Sequence, residues 1–136
     1  MSVVSCIPVV PSKDLEKSLK LWRDGLGFTD FWWEQRDPQT NKLIGCGFRK
    51  GHMSFMLNRR DGTLIKPDDY NGIHFYWAPP DLEGLHTLRG RLIALGFAPT
   101  ELVLRDYGHT EFFLTDDDGF DHCFGLRTVP VQPANQ

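Results

Sequence analysis

The sequence predicts an α+β fold: two tandem βαβββ modules with pseudo-two-fold symmetry. Three observations carry that prediction. Asp14-Leu15-Glu16 opens one helical pattern, and Asp81-Leu82-Glu83 opens another 67 residues later. Leu26-Gly27-Phe28 closes the first pattern and Leu95-Gly96-Phe97 the second. Gly51 precedes the last strand pattern of one half and Gly119 that of the other. A repeat of this length is one supersecondary unit used twice. Each half is too short to bury much by itself, so the halves, or halves of two chains, are expected to cover one another.

The elements follow in order. Residues 7–10 are a short apolar run, interrupted by Pro8 and closed by Pro11. Proline cannot donate to a ladder, so this is an irregular or edge strand. Ser12 or Asp14 caps the next helix, whose stripe is Leu15, Leu19, Trp22 and Leu26, with Gly27 at its end. Residues 28–35 are an aromatic strand, 37–41 a turn, and 43–49 and 53–58 two strands joined around Lys50-Gly51. The first module covers about 5–58, and the polar stretch 59–71 reads as a linker. In the second module, about 72–127, a strand at 73–77 leads through Pro79-Pro80-Asp81 into a helix. That helix buries Leu82, Leu85, Leu88, Leu92 and Leu95, and Gly96 ends it. A strand at 101–104 precedes a hairpin turned at Asp116-Asp117-Asp118-Gly119. Three adjacent carboxylates raise the question of a hard cation. The spaced acidic loop and distal Glu of a calcium site are absent, so the stretch reads as a solvated turn. Residues 128–136 read as a loose tail.

Composition narrows the function. The net charge is −3 and the pI about 5.9, which argues against a nucleic-acid partner. Cys6, Cys46 and Cys123 form no CxxC pair. No leader pattern and no membrane-length apolar run is present, so the expectation is a cytoplasmic protein with reduced thiols.

The βαβββ repeat, the opening IPVVPSKDLEKSLKLWRDGLGF and the closing YGHTEFFLTDDDGFDHCFGL together resemble the vicinal oxygen chelate superfamily, in its glyoxalase/bleomycin-resistance-protein/dioxygenase branch. Tyr107-Gly108, Glu111-Phe112 and the acidic turn stand where that family has its closing motif, with Asp117 in place of a proline. The resemblance covers residues 5–126 and implies a groove formed between curved sheets, a homodimer and a small-molecule ligand. It leaves chemistry open, because this fold carries metal lyases, isomerases, dioxygenases, thiol transferases and metal-free antibiotic binders.

In metal-dependent members, ligands come from the first and last strands of each half. Ile7 and His74 each lie seven residues before the helix-opening aspartate, and Phe55 and Cys123 each lie four after the turn glycine. Ile7 and Phe55 have no donor atoms. His74 and Cys123 would be the ligands if a metal such as Zn, Ni, Mn or Fe were bound, one short of a catalytic zinc set. Cys6 or His122 would enter only with a one-residue shift, which turns a side chain to the other face. Cofactors and catalytic residues are therefore expected to be none. Cys123 reads as a small buried filler, and His74 as either a bonded half-buried histidine or a ligand contact.

The expected ligand-binding residues are Ile7, Phe31, Trp33, Phe48, Phe55, His74, Tyr76, Tyr107, Glu111 and Cys123. Alternation puts Tyr76 with His74 in the groove and Phe75 and Trp77 on the helix-packed face. Met53, Phe55 and Leu57 share the groove phase by the same rule. Trp32 and Trp33 should point opposite ways, and Trp33 is preferred for the groove because it shares a face with Phe31. The reading is a metal-free protein sequestering a flat or apolar ligand, cationic if Glu34, Asp37 or Glu111 supply charge, as in antibiotic resistance. The alternatives are a divalent-metal lyase, isomerase or extradiol-type dioxygenase, and a non-catalytic structural or regulatory domain.

Overall fold

The computed structural model describes residues 3, 5–60 and 74–130. The 59–71 linker lies outside the described residues except for Arg59, which ends a strand, and Arg60; Ile73 and residues 131–136 also lie outside them. The chain divides into two compact units, Met1–Lys66 and Pro67–Gln136.

In the first unit, β1 (Val9–Ser12) leads to α1 (Leu15–Leu19), which continues as a π-helical segment, Lys20–Gly25. Strands β2 (Asp30–Arg36), β3 (Leu43–Lys50) and β4 (Met53–Arg59) follow. The sheet order is β1-β4-β3-β2, with β1 parallel to β4 and the other pairs antiparallel. Pro11 is tolerated in β1 because β1 is an edge strand. The second unit repeats the plan with β5 (His74–Trp77), α2 (Leu82–Ala94), β6 (Val103–Leu104), β7 (His109–Thr115) and β8 (Asp121–Arg127). Its order is β5-β8-β7-β6, again with only the first and last strands parallel. Two mixed four-stranded sheets of identical topology are the fold that the repeat predicts.

Both helices start as their sequences dictate. Asp14 accepts from the Lys17 N–H at 3.2 Å, and Asp81 from the Gly84 N–H at 2.7 Å. Gly27 and Gly96 follow with φ of 87° and 93°, the left-handed conformation that glycine adopts without strain. The first helix widens where the Leu26 N–H bonds to the Leu21 carbonyl at 2.8 Å, and Leu21 and Trp22 are both buried there. In α2, Leu85 and Leu92 are fully buried, but Leu82 is exposed, contrary to the stripe read from spacing.

The core of the first unit is aromatic. The Trp22 ring lies 6.0, 5.8 and 5.1 Å from the rings of Phe28, Phe48 and Phe55. Phe31 joins at 5.7 Å from Phe48. Phe31, Phe48 and Phe55 therefore face the helix, and so does the fully buried Leu57. This corrects the groove-facing phase assigned to them above. The cause is a difference in turn length. Lys50 pairs with Met53 around a two-residue turn, whereas Thr115 pairs with Asp121 around residues 116–120. Gly51 opens its turn and Gly119 sits late in the other, so counting from the glycines is one residue out. The ladders pair Val9 with Met56 and Tyr76 with Cys123. Met56, not Phe55, is the counterpart of Cys123, and Phe55 corresponds to His122. A one-residue slip moves every side chain to the other face.

Candidate functional sites on the bare sheet faces

Each sheet has one face against its helix and one turned away from it, here called the bare face. In the first unit the bare face carries an indole pair. Phe31 pairs with Phe48 and Trp33 with Gly47, so Trp32 is the extra residue of a β-bulge. The bulge breaks strict alternation, and both tryptophans lie over the same face. A Cβ on Gly47 would stand 2.5, 2.7 and 2.7 Å from three contiguous atoms of the Trp32 indole. Those near-equal distances mean that the face of the ring, not its edge, covers the glycine. A Cβ on Gly45 would stand 2.6 Å from the Trp33 ring. The expectation that Trp32 and Trp33 diverge is therefore corrected: both rings rest on bare glycine backbone. The Trp32 Nε1–H donates to Ser54 Oγ at 3.2 Å, which pins that ring. Beside Trp33 lies Asn58, whose side-chain oxygen is 3.2 Å from the same Gly45 position. Val9, Pro11, Asn58 and Arg60 line a hollow of about 270 Å³. Ile7, 40% exposed, precedes β1.

In the second unit the bare face carries a carboxylate cluster. Glu111 is 1% exposed. Its Oε2 accepts the Tyr76 hydroxyl at 2.8 Å, and its Oε1 accepts the Tyr107 hydroxyl. Arg105 Nε lies 3.5 Å from Oε1. Because Tyr76 gives its proton to Glu111, it accepts from His109 Nδ1 at 2.7 Å, which places the His109 proton on Nδ1. A Cβ on Gly125 would stand 2.6 Å from Glu111 Cγ and 2.8 Å from the Tyr76 oxygen, so only glycine leaves room for this cluster. Tyr76, Tyr107, Glu111 and Cys123 thus come together, and His74 shares their strand phase two residues before Tyr76.

The cluster sets the protonation of its members. Burial pushes the Glu111 carboxyl up, but the hydroxyls of Tyr107 and Tyr76 and the charges of Arg105 and His109 outweigh it and hold it below 4.5. Burial, then the Glu111 charge and hydrogen bond, push the Cys123 thiol up to about 12. The hydrogen bond to Glu111 is the main cause of the rise of Tyr107 to about 12. Tyr76 is raised too, first by burial and then by Glu111. Because the folded-state value of Glu111 is depressed, its stabilisation is fully present above the unfolded value, near 4.5, and is lost as pH falls through the lower folded value. Urea unfolding of wild type should therefore show a midpoint lower at pH 3 than at pH 7. In Glu111→Gln that part of the pH dependence should vanish.

Four features were not read from the sequence. Trp32, Arg105 and His109 are three of them; the Gly45-x-Gly47 spacing opposite two tryptophans and the period-two relation of His109 to Glu111 were the available signals. The fourth is a buried chain on the helix side. His122 is fully buried, its Nδ1 accepts the Trp77 Nε1–H at 2.9 Å, and its Nε2 lies 2.8 Å from Asp116 Oδ2. Asp116 Oδ1 accepts the N–H groups of Asp118 and Phe120, both at 2.9 Å. The acidic turn is thus held by its own first carboxylate.

The donor set does not fit a divalent metal. The positions implied by the family resemblance, once in register, hold Ile7, Met56, His74 and Cys123. Ile7 has no donor atom, Met56 and Cys123 offer only sulfur, and His74 is the one nitrogen donor, short of the three ligands a catalytic site needs. Among the described residues no group of three or more His, Cys, Asp or Glu side chains is placed to hold an ion.

No family model matches the chain, and no curated protein matches it. Solved structures do. The fosfomycin resistance protein FosX of Listeria monocytogenes superposes with a TM-score of 0.73 at 17% identity, over 95% of this chain and 97% of that one. A glyoxylase/bleomycin resistance protein/dioxygenase domain from Frankia sp. EAN1pec gives 0.69 at 20%, over 93% and 98%. Lactoylglutathione lyase from Agrobacterium tumefaciens gives 0.64 at 16%, over 92% and 95%. The structural neighbours include glyoxalase, bleomycin-resistance/dioxygenase-domain and fosfomycin-resistance proteins, and the chain shares their fold.

Proposed function

We propose that the protein binds a flat, largely apolar small molecule by stacking on Trp32 and Trp33, with no resident metal. The observation that carries this is the indole pair laid over Gly45 and Gly47. Rings resting on backbone are already ordered, so a stacking ligand spends little entropy on fixing them. Flat aromatic faces reward planar ligands beyond the area they bury. A homodimer in the cytoplasm is part of the same reading.

A divalent-metal lyase, isomerase or dioxygenase is the second reading, favoured by one observation. Neighbours of this fold include lactoylglutathione lyase and a Listeria FosX complexed with Mn(II) and sulfate.

The test is calorimetric titration with a neutral planar probe, 2-naphthamide. Trp33→Ala should weaken its binding by about tenfold, the scale of one lost stacking partner. Gly47→Ala should weaken it as well, by lifting Trp32 off the sheet. Wild-type affinity in both variants would reject the platform.

A further inference from the structure

We infer that the ligand taken on this platform is a planar aromatic oxyanion, with its ring on Trp33 and its carboxylate or phosphate turned to Asn58 and Arg60. The inference rests on the platform reading and adds the ligand's charge. Pro11 pairs with Asn58 across β1 and β4, and Gly45 pairs with Asn58 across β3 and β4. Asn58 therefore stands between the Trp33 ring over Gly45 and the hollow that Val9, Pro11 and Arg60 complete. A ring stacked on Trp33 carries a substituent past Asn58 into that hollow. Two of its lining residues, Val9 and Pro11, are apolar, and the other two, Asn58 and Arg60, are the ones whose side chains carry an amide and a guanidinium. Guanidinium is charged at every accessible pH and matches an oxyanion with two parallel hydrogen bonds.

The carboxylates that would favour a cation are committed elsewhere. Glu34 pairs with Arg36, which also reaches Glu16 on the helix. Asp37 holds its own turn through the Gln39 N–H at 2.8 Å. Asp30 pairs with Arg49, Asp24 with Arg23, and Asp14 caps α1. These are all the acidic residues described in the first unit. Glu111 is buried among its own donors in the second. The cationic ligand expected from Glu34, Asp37 and Glu111 therefore gives way to an anionic one.

Three probes of one shape separate the possibilities: 2-naphthoate, neutral 2-naphthamide and 2-naphthylmethylammonium, titrated into wild type and Arg60→Gln. Naphthoate should bind wild type at least about tenfold more tightly than naphthamide, as expected of a charge-assisted hydrogen bond. Arg60→Gln should remove that advantage, weakening naphthoate at least about tenfold more than it weakens naphthamide. The naphthoate advantage should also shrink with added salt. Naphthamide or the ammonium probe binding wild type as tightly as naphthoate would overturn the inference and leave the platform standing. So would a naphthoate advantage that survives Arg60→Gln. Binding of none of the three would overturn the platform and the inference together.

Discussion

Phe48→Ala is expected to lower the unfolding free energy by about 3–5 kcal/mol, the usual cost of emptying a fully buried phenylalanine site. Phe48 is 0% exposed and lies 5.8, 5.3 and 5.7 Å from the rings of Trp22, Phe28 and Phe31. It sits at the centre of the first unit's core, between sheet and helix. The change therefore tests which way the ring faces. Urea denaturation should show the midpoint fall with little change in slope. Below the transition, the protein that remains folded should bind 2-naphthamide with wild-type affinity, since the Trp32/Trp33 face is the opposite one. A variant of unchanged stability that had lost ligand affinity would place Phe48 on the ligand side. It would also undo the register that assigns Met56, not Phe55, to Cys123.

His122→Ala is expected to cost about as much, roughly 3–5 kcal/mol, for a different reason. Removing the imidazole opens a cavity between Phe75 and Phe124, whose rings lie 5.0 and 6.3 Å from it. It also removes the partner that His122 gives to the Trp77 indole N–H and to one oxygen of Asp116, two part-buried polar groups. His122→Phe separates these terms. It keeps the volume and loses only the bonds, so it should cost less, about 1–3 kcal/mol. Hydrogen exchange at Asp118 and Phe120, whose N–H groups bond to Asp116, should quicken in both variants. Unchanged protection there, with a wild-type midpoint, would mean that the Trp77–His122–Asp116 chain holds nothing together.

The topology was legible because it is written twice. Asp14 and Asp81 cap, Gly27 and Gly96 stop, and the strand count between them is the same, so one half corroborates the other. The faces of the strands were legible only where nothing disturbs the period. In β5 the alternation holds, and Tyr76 and Trp77 take opposite sides as read. In β2 a single bulge at Trp32 adds a residue, and no rule of alternation survives an insertion. In β4 the difficulty came from outside the strand. Gly51 and Gly119 are both left-handed turn residues, with φ of 59° and 86°, but they occupy different places in turns of different length. Turn glycines mark that a turn exists, not where its ladder begins. The carboxylate cluster was half visible: Tyr76, Tyr107 and Glu111 were named singly, but that two hydroxyls and an arginine converge on one carboxylate is a property of β5, β7 and the 104–109 turn brought together.

The central claim is that a planar ligand stacks on the Trp32/Trp33 platform without help from a metal. The direct measurement is calorimetric titration of 2-naphthoate into protein purified without chelator. It is repeated after chelator treatment and after Mn(II) is restored, with metal content determined on the same samples. The account predicts one affinity in all three, and metal far below one equivalent per chain. Binding that disappears with the chelator and returns with Mn(II), at close to one equivalent, would contradict it. That result would turn attention to His74 and Cys123.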